Sequence, residues 1–250
     1  MKKVKLKGLL IKQSEYSDSS LILRFLSKEH GLISVLAKGL RKQTERQQLT
    51  NLCEYEFGLY EPREAGLWLL YDYDVIKDYS SFPSSATWAA AECGLELISQ
   101  ITVSPDEHPL FYQLSISYLD YLQSVSHNAV LLYWRFYLRI IRQCGIGSPL
   151  DECCRCHTLS PLFVAQDEQL GGLLCYPCYR EMDKMDNISP LSPTISRVLH
   201  LMPEIGKHLN GIALSKADLA EVNKVLDSYW QTHHKNALKL KSLSVLSQFY

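Results

Sequence analysis

Eight cysteines stand in this 250-residue chain. Four of them fall into two tight pairs, Cys153-x2-Cys156 and Cys175-x2-Cys178, with eighteen residues between the pairs. That is the spacing of a four-cysteine zinc site. Thiolate sulfur favours zinc, and two such knuckles set four sulfurs at the corners of a tetrahedron about 2.3 Å from the metal. A shell of four thiolates leaves no open coordination position, so the expected zinc is structural. The competing reading is four free buried thiols. Cys154 and His157 adjoin the first knuckle as surplus ligands, but the spacing favours Cys153 with Cys156. Cys53, Cys93 and Cys144 show no such order and read as small buried hydrophobes.

Anion binding is the second chemistry the residues suggest. Lys3, Lys5 and Lys7 alternate along one strand face, and Lys38, Arg41, Lys42 and Arg46 lie in a polar stretch further on. Cations in such places neutralise nucleic-acid phosphates and release counterions, whatever the base sequence. Lys5, Lys7, Lys38, Arg41, Lys42 and Arg46 are therefore the candidate nucleic-acid contacts, set against a plain solvated face. Arg135, Arg139 and Arg142, at i, i+4 and i+7, share one face of an otherwise apolar helix. That stripe suits phosphate or an acidic peptide, and it suits internal pairing with acids of neighbouring helices equally well. No Walker P-loop, G-x-S-x-G, H-E-x-x-H or G-x-G-x-x-G is present, so no enzyme is expected.

The elements that must position these residues change character near residue 80. Before it, five short strands are predicted: one around Lys3–Lys7, then Leu21–Leu26, Leu32–Ala37, Leu52–Tyr60 and Leu67–Ile76. In the last of these the inner face is expected to be Leu67, Leu69, Tyr71, Tyr73 and Val75. Five strands in so short a span suit a small closed barrel such as the OB-fold, in preference to an open sheet. After residue 84 the apolar period becomes helical. Helices are expected from Ser84 or Ser85 through Ile98, over Pro109–Val125 and Asn128–Cys144, from Ser192 to about Lys207 with Pro203 able to kink or shorten it, from Ser215 to about Thr232, and over Asn236–Leu246. The expected class is α+β. An N-terminal five-stranded OB-fold barrel occupies residues 1–80. An α-helical domain follows over 81–250, with the zinc module inserted at about 151–183.

Composition narrows the function classes. The net charge of −1 conceals a balance of +7 over residues 1–46 (eleven Lys/Arg against four Asp/Glu) and −8 over the remainder. An anionic partner is expected at the basic end. No apolar run approaches the ~20 residues of a membrane helix, and early lysines break up any signal-peptide core, so a cytoplasmic protein without membrane contact is expected.

Taken together, these features resemble the RecO family of bacterial recombination and repair proteins. The resemblance rests on Gly8-Leu9-Leu10, Tyr16-Ser17-Asp18-Ser19-Ser20, His30-Gly31-Leu32 and Ala37-Lys38-Gly39. It continues through Gly145-Ile146-Gly147-Ser148-Pro149-Leu150, the cysteine pairs with Gly171-Gly172, and Lys241-Ser242. His157 departs from the pattern, since the family's knuckle usually has glycine there. The resemblance implies binding to single- and double-stranded DNA and annealing of complementary strands. It implies work with RecR, and in some lineages RecF, to help load RecA onto DNA covered by single-stranded-DNA-binding protein. It also implies that the acidic, hydrophobic tail of that covering protein docks on the helical domain. Some relatives lack the cysteines, so zinc is not implied to be essential to activity. Two other classes compete: an RNA-binding OB-fold protein, and a zinc-dependent hydrolase, which would need an open metal position beside a carboxylate base.

Overall fold

The computed structural model describes residues 2–42, 49–64, 66–182, 187–234 and 236–250. These residues form two compact units, Met1–Ser126 and His127–Tyr250.

In the first unit five strands pair as a ring: β1 (Lys3–Glu15), β2 (Leu21–Ser27), β3 (Gly31–Ala37), β4 (Cys53–Tyr60) and β5 (Trp68–Asp78), in the order β1-β2-β3-β5-β4. β1 is long enough to serve two neighbours. Lys3–Leu9 pairs with β4 and Gly8–Glu15 with β2. An irregularity at Ile11, between Leu10 and Lys12, bends the strand from one partner towards the other. Inside the ring lie Leu6, Leu10, Leu23, Phe25, Val35 and Phe57, all buried. Two helices, α1 (Ser85–Gln100) and α2 (His108–Gln123), pack on β1, β2 and β3 in the same unit. α1 begins at a capping box in which Ser84 and Thr87 satisfy each other's backbone N–H.

The second unit is built round α3 (Ala129–Gln143), whose residues Ala129–Trp134, Phe136–Leu138, Ile140 and Ile141 are buried. Trp134 Nε1 donates to Asn223 Oδ1 at 3.0 Å, and Tyr137 donates its hydroxyl to the Leu226 carbonyl. Both acceptors belong to α6 (Lys216–His233). Gly145 and Gly147, at φ 79° and 71°, end α3 as their permissive backbone allows. Next come β6 (Phe163–Asp167), β7 (Gly172–Cys175), α4 (Tyr176–Arg180), β8 (Ile188–Pro190) and α5 (Pro193–Leu201), with α7 (Ser242–Leu246) near the end. α5 stops short of the expected Lys207, because Pro203 removes an N–H and the chain tightens into 3-10 turns over Met202–Lys207.

The expected fold class, a five-stranded OB-fold barrel followed by an α-helical domain, is corrected in two respects. The sheet is not closed by continuous ladders. β3 and β5 share only two parallel pairs, Val35 with Trp68 and Leu36 with Leu69, whereas the other four ladders are antiparallel with seven or eight pairs each. The second unit is not purely helical, since β7, β6 and β8 form a three-stranded sheet. α1 and α2 lie in the same compact unit as the strand ring.

The inner face of β5 differs too. Trp68, Leu70 and Tyr73 pack on the core, while Leu67, Tyr71 and Val75 are exposed. The register slips between Gly58 and Leu59, leaving Tyr71 as an extra residue on β5, and this reverses the alternation midway.

Candidate metal centre and anion-binding surfaces

The sulfurs of Cys153, Cys156, Cys175 and Cys178 all lie within 4.8 Å of one another. Four sulfurs at 2.3 Å from a tetrahedral zinc stand about 3.8 Å apart. The 3.6 Å between Cys156 Sγ and Cys175 Sγ fits that edge. The first knuckle is a narrow hairpin in which the Cys153 N–H donates to the Thr158 carbonyl at 2.9 Å and the His157 N–H to the Cys153 carbonyl at 3.0 Å. The second pair sits where β7 runs into α4, and the Cys175 N–H donates to Cys153 Sγ at 3.4 Å. Gly171 turns the chain between β6 and β7 at φ 65°, and a Cβ on Gly172 would come within 2.4 Å of Cys154 Cβ. Cys154 thus packs against glycine and stays out of the four-sulfur group. His157 takes the left-handed backbone, φ 57°, at the position where glycine was expected, and its Nδ1 lies 2.8 Å from Glu152 Oε1.

Proton affinities within the cluster diverge. Hydrogen bonds from Thr158 lower Cys156 to about 6, whereas burial raises Cys175 and Cys178. Burial comes first in that rise, and each neighbouring thiolate adds to the cost of the next. A divalent soft cation would remove that conflict, and the donor set fits zinc. The cluster can coordinate a metal, and four sulfurs would fill a tetrahedral shell.

On α3 the three arginines occupy the one stripe left free by apolar packing. They border a cavity of about 450 Å³ that also includes Leu138, Leu150 and Met202. Leu138 and Met202 are buried and supply an apolar floor. Arg142 pairs with Asp151. Arg135 and Arg139 have no carboxylate partner among the described residues. Burial, and then the neighbouring Arg135 charge, lowers the pKa of Arg139 from its ordinary value. Two uncompensated guanidinium groups beside an apolar floor suit a carboxylate joined to a hydrophobic group.

The N-terminal cations are arranged less simply. Lys5 Nζ lies 3.0 Å from Glu56 Oε2, and that hydrogen bond, with smaller help from Asp74 and Asp72, raises its pKa. Lys3 stands over the rings of Tyr60 and Tyr71 at 5.5 and 5.1 Å. Lys7 is exposed and faces Glu56 across the β1–β4 ladder. The lysine row therefore belongs to a face of mixed charge. Lys38 is exposed just beyond β3. Arg41 pairs with Glu15 at 2.8 Å and donates to the Ser17 carbonyl. The backbone of Lys42 lies in the 3-10 turn Leu40–Lys42, but its side chain, like the whole of Arg46, is outside the described residues.

Residues 1–79 match the family described as Recombination protein O N terminal, and residues 84–243 match Recombination protein O C terminal. The chain belongs to the RecO family. Similar relatives include the DNA repair protein RecO of Bacillus velezensis, 23% identical over 98% of this chain and 94% of that protein. The RecO of Exiguobacterium sibiricum is 25% identical over 98% of this chain and 96% of its own length. That of Bacillus subtilis is 22% identical over 98% and 94%. RecO-family proteins are non-catalytic mediators of DNA repair and recombination. No helix among the described residues is long and apolar enough to cross a membrane.

Against this RecO framework two cations missed in the sequence become visible. Lys12 and Arg24 are direct cross-strand partners on β1 and β2, both exposed. Neither has a carboxylate partner among the described residues. Like charges set opposite each other destabilise a ladder unless an anion bridges them. Their pairing depends on the shift at Ile11, so no local pattern in the sequence reveals it.

Proposed function

We propose that this protein binds and anneals DNA strands and helps load RecA onto single-stranded DNA covered by single-stranded-DNA-binding protein, working with RecR and, in some lineages, RecF. Membership of the RecO family over both parts of the chain carries this reading. The DNA surface is assigned to Lys7, Lys12, Arg24 and Lys38 on and beside the strand ring. Lys5 and Arg41 contribute less, because Glu56 and Glu15 already compensate their charges. The tail of the covering protein, acidic with a hydrophobic end, is assigned to the α3 cavity, with Arg135 and Arg139 taking carboxylates and Leu138 and Met202 the apolar end. Zinc is assigned to Cys153, Cys156, Cys175 and Cys178 as a structural ion. Among the described residues these four sulfurs stand together with no carboxylate in the group, which favours a closed site over a hydrolytic one.

The DNA assignment is tested by the salt dependence of binding. Replacing Lys12, Arg24 and Lys38 together by glutamine should weaken binding to any single strand and reduce the slope of log K against log salt by about 2, since each phosphate contact contributes about 0.7. Lys5→Gln should leave the slope almost unchanged. Equal slopes for the triple variant and the unsubstituted protein would place the DNA elsewhere.

A further inference from the structure

Opposite α3, the cavity has a second wall, formed by Ser148, Leu150, Asp151 and Ser160. Two of these residues, Asp151 and Ser160, are the base of the first cysteine knuckle. The Ser160 N–H donates to the Asp151 carbonyl at 2.9 Å, Glu152 and Leu159 form an antiparallel bridge, and the Cys153 N–H donates to the Thr158 carbonyl at 2.9 Å. Residues 151–160 are thus one small hairpin. Its tip carries Cys153 and Cys156, and its base faces the cavity.

The same base orients an arginine. One carboxylate oxygen of Asp151 accepts from the Ser148 N–H at 3.1 Å, and the other pairs with Arg142. Asp151 is therefore fixed on both sides, and it fixes Arg142 in turn. The hairpin has little else to keep it folded. Two-stranded hairpins are marginal in water. This one also holds two non-glycine residues at positive φ, His157 at 57° and Ser160 at 42°, a conformation that costs free energy at each position. Leu159 at its edge is 76% exposed and adds almost no burial. Among the described residues the hairpin is joined to the rest of the unit by the four-sulfur cluster, the Arg142–Asp151 pair, the Cys175 N–H on Cys153 Sγ and the Cys154 N–H donated to the Leu173 carbonyl, and only the cluster ties its tip to the second cysteine pair through more than one atom.

We infer that the metal module is one half of the peptide cavity, with Asp151 as the positioning residue for Arg142, so that peptide affinity depends on a metal site the peptide does not touch. This rests on the reading of the α3 cavity as the site of an acidic peptide. A bound zinc would cross-link the two knuckles, and the hairpin from Asp151 to Ser160 joins that cross-link to the cavity wall.

The test measures binding of a fluorescent acidic peptide ending in phenylalanine with a free carboxylate, alongside zinc content and thermal stability. The full-length protein is compared before and after zinc is stripped by a chelator, after zinc is restored, and as Cys156→Ser, Asp151→Asn and Arg139→Ala. Cys156 is the exposed ligand, so its replacement disturbs packing least. Chelation and Cys156→Ser should each weaken the peptide by about tenfold or more, the scale of one charge-assisted contact, with zinc restoring only the unsubstituted protein. Asp151→Asn should weaken it several-fold while zinc content stays full, which separates positioning from unfolding. Metal-free protein that binds the peptide as tightly as loaded protein, while Arg139→Ala still loses it, would overturn the coupling and leave the cavity assignment standing. If the unsubstituted protein fails to bind, or Arg139→Ala binds normally, the cavity assignment itself falls and the coupling with it.

Discussion

Replacing Cys175 by serine is expected to reduce bound zinc from about one per chain to below about 0.1 and to unfold the cysteine module locally, because structural zinc and the fold of its loops form together. Cys175 is the residue on which the module turns. It ends β7, its N–H donates to Cys153 Sγ, and it is nearly fully buried beside Ala165 and Leu174. Amide protection in β6 and β7 should fall by a hundredfold or more, about 3 kcal/mol, which is a fraction of the ~10 kcal/mol or more with which zinc holds isolated finger peptides. DNA affinity should change much less, since the strand ring lies in a unit with its own core. Elemental analysis and hydrogen exchange read both quantities. Full metal retention, or unchanged exchange, would remove the metal assignment.

The second large effect concerns α3. Arg139→Ala should weaken the acidic, hydrophobic-ended tail peptide by about 10- to 100-fold, the range for losing a charge-assisted bidentate contact. Thermal stability should remain within a degree or two, because Arg139 is exposed and has no carboxylate partner among the described residues. The sequence alone leaves peptide binding and internal pairing equally open for this stripe, and the structure divides it: Arg142 pairs with Asp151, while Arg135 and Arg139 border the cavity with no carboxylate partner among the described residues. A variant that loses stability yet binds the peptide normally would show that Arg139 is structural.

How legible these features are in the sequence follows from the range of the interactions that create them. The cysteine pairs and the arginine stripe are local periodicities, so spacing alone places them, and the structure brings each set to one place. Features that depend on strand register are not legible. The bulge at Tyr71 inverts half of β5, and the shift at Ile11 brings Lys12 opposite Arg24. The Lys5–Glu56 pair depends on the β1–β4 ladder, which joins residues about fifty apart, so the lysine row reads as free charge until that ladder is known. The second sheet escapes notice because β8 has three residues and β7 four, too few to show an alternation. His157 is the reverse case. A glycine is expected where the backbone must be left-handed, and the chain adopts that backbone with histidine, held by Glu152.

The activity assigned to this protein is the pairing of DNA strands in the presence of the covering protein. The most direct measurement follows the annealing of two complementary, fluorescently paired oligonucleotides, bare and fully coated with single-stranded-DNA-binding protein, with increasing amounts of this protein. Annealing should accelerate on both substrates. On the coated strands the acceleration should disappear when the covering protein lacks its acidic tail, or when Arg139 is alanine, while annealing of bare strands persists. Failure to accelerate annealing of bare strands would contradict that assignment.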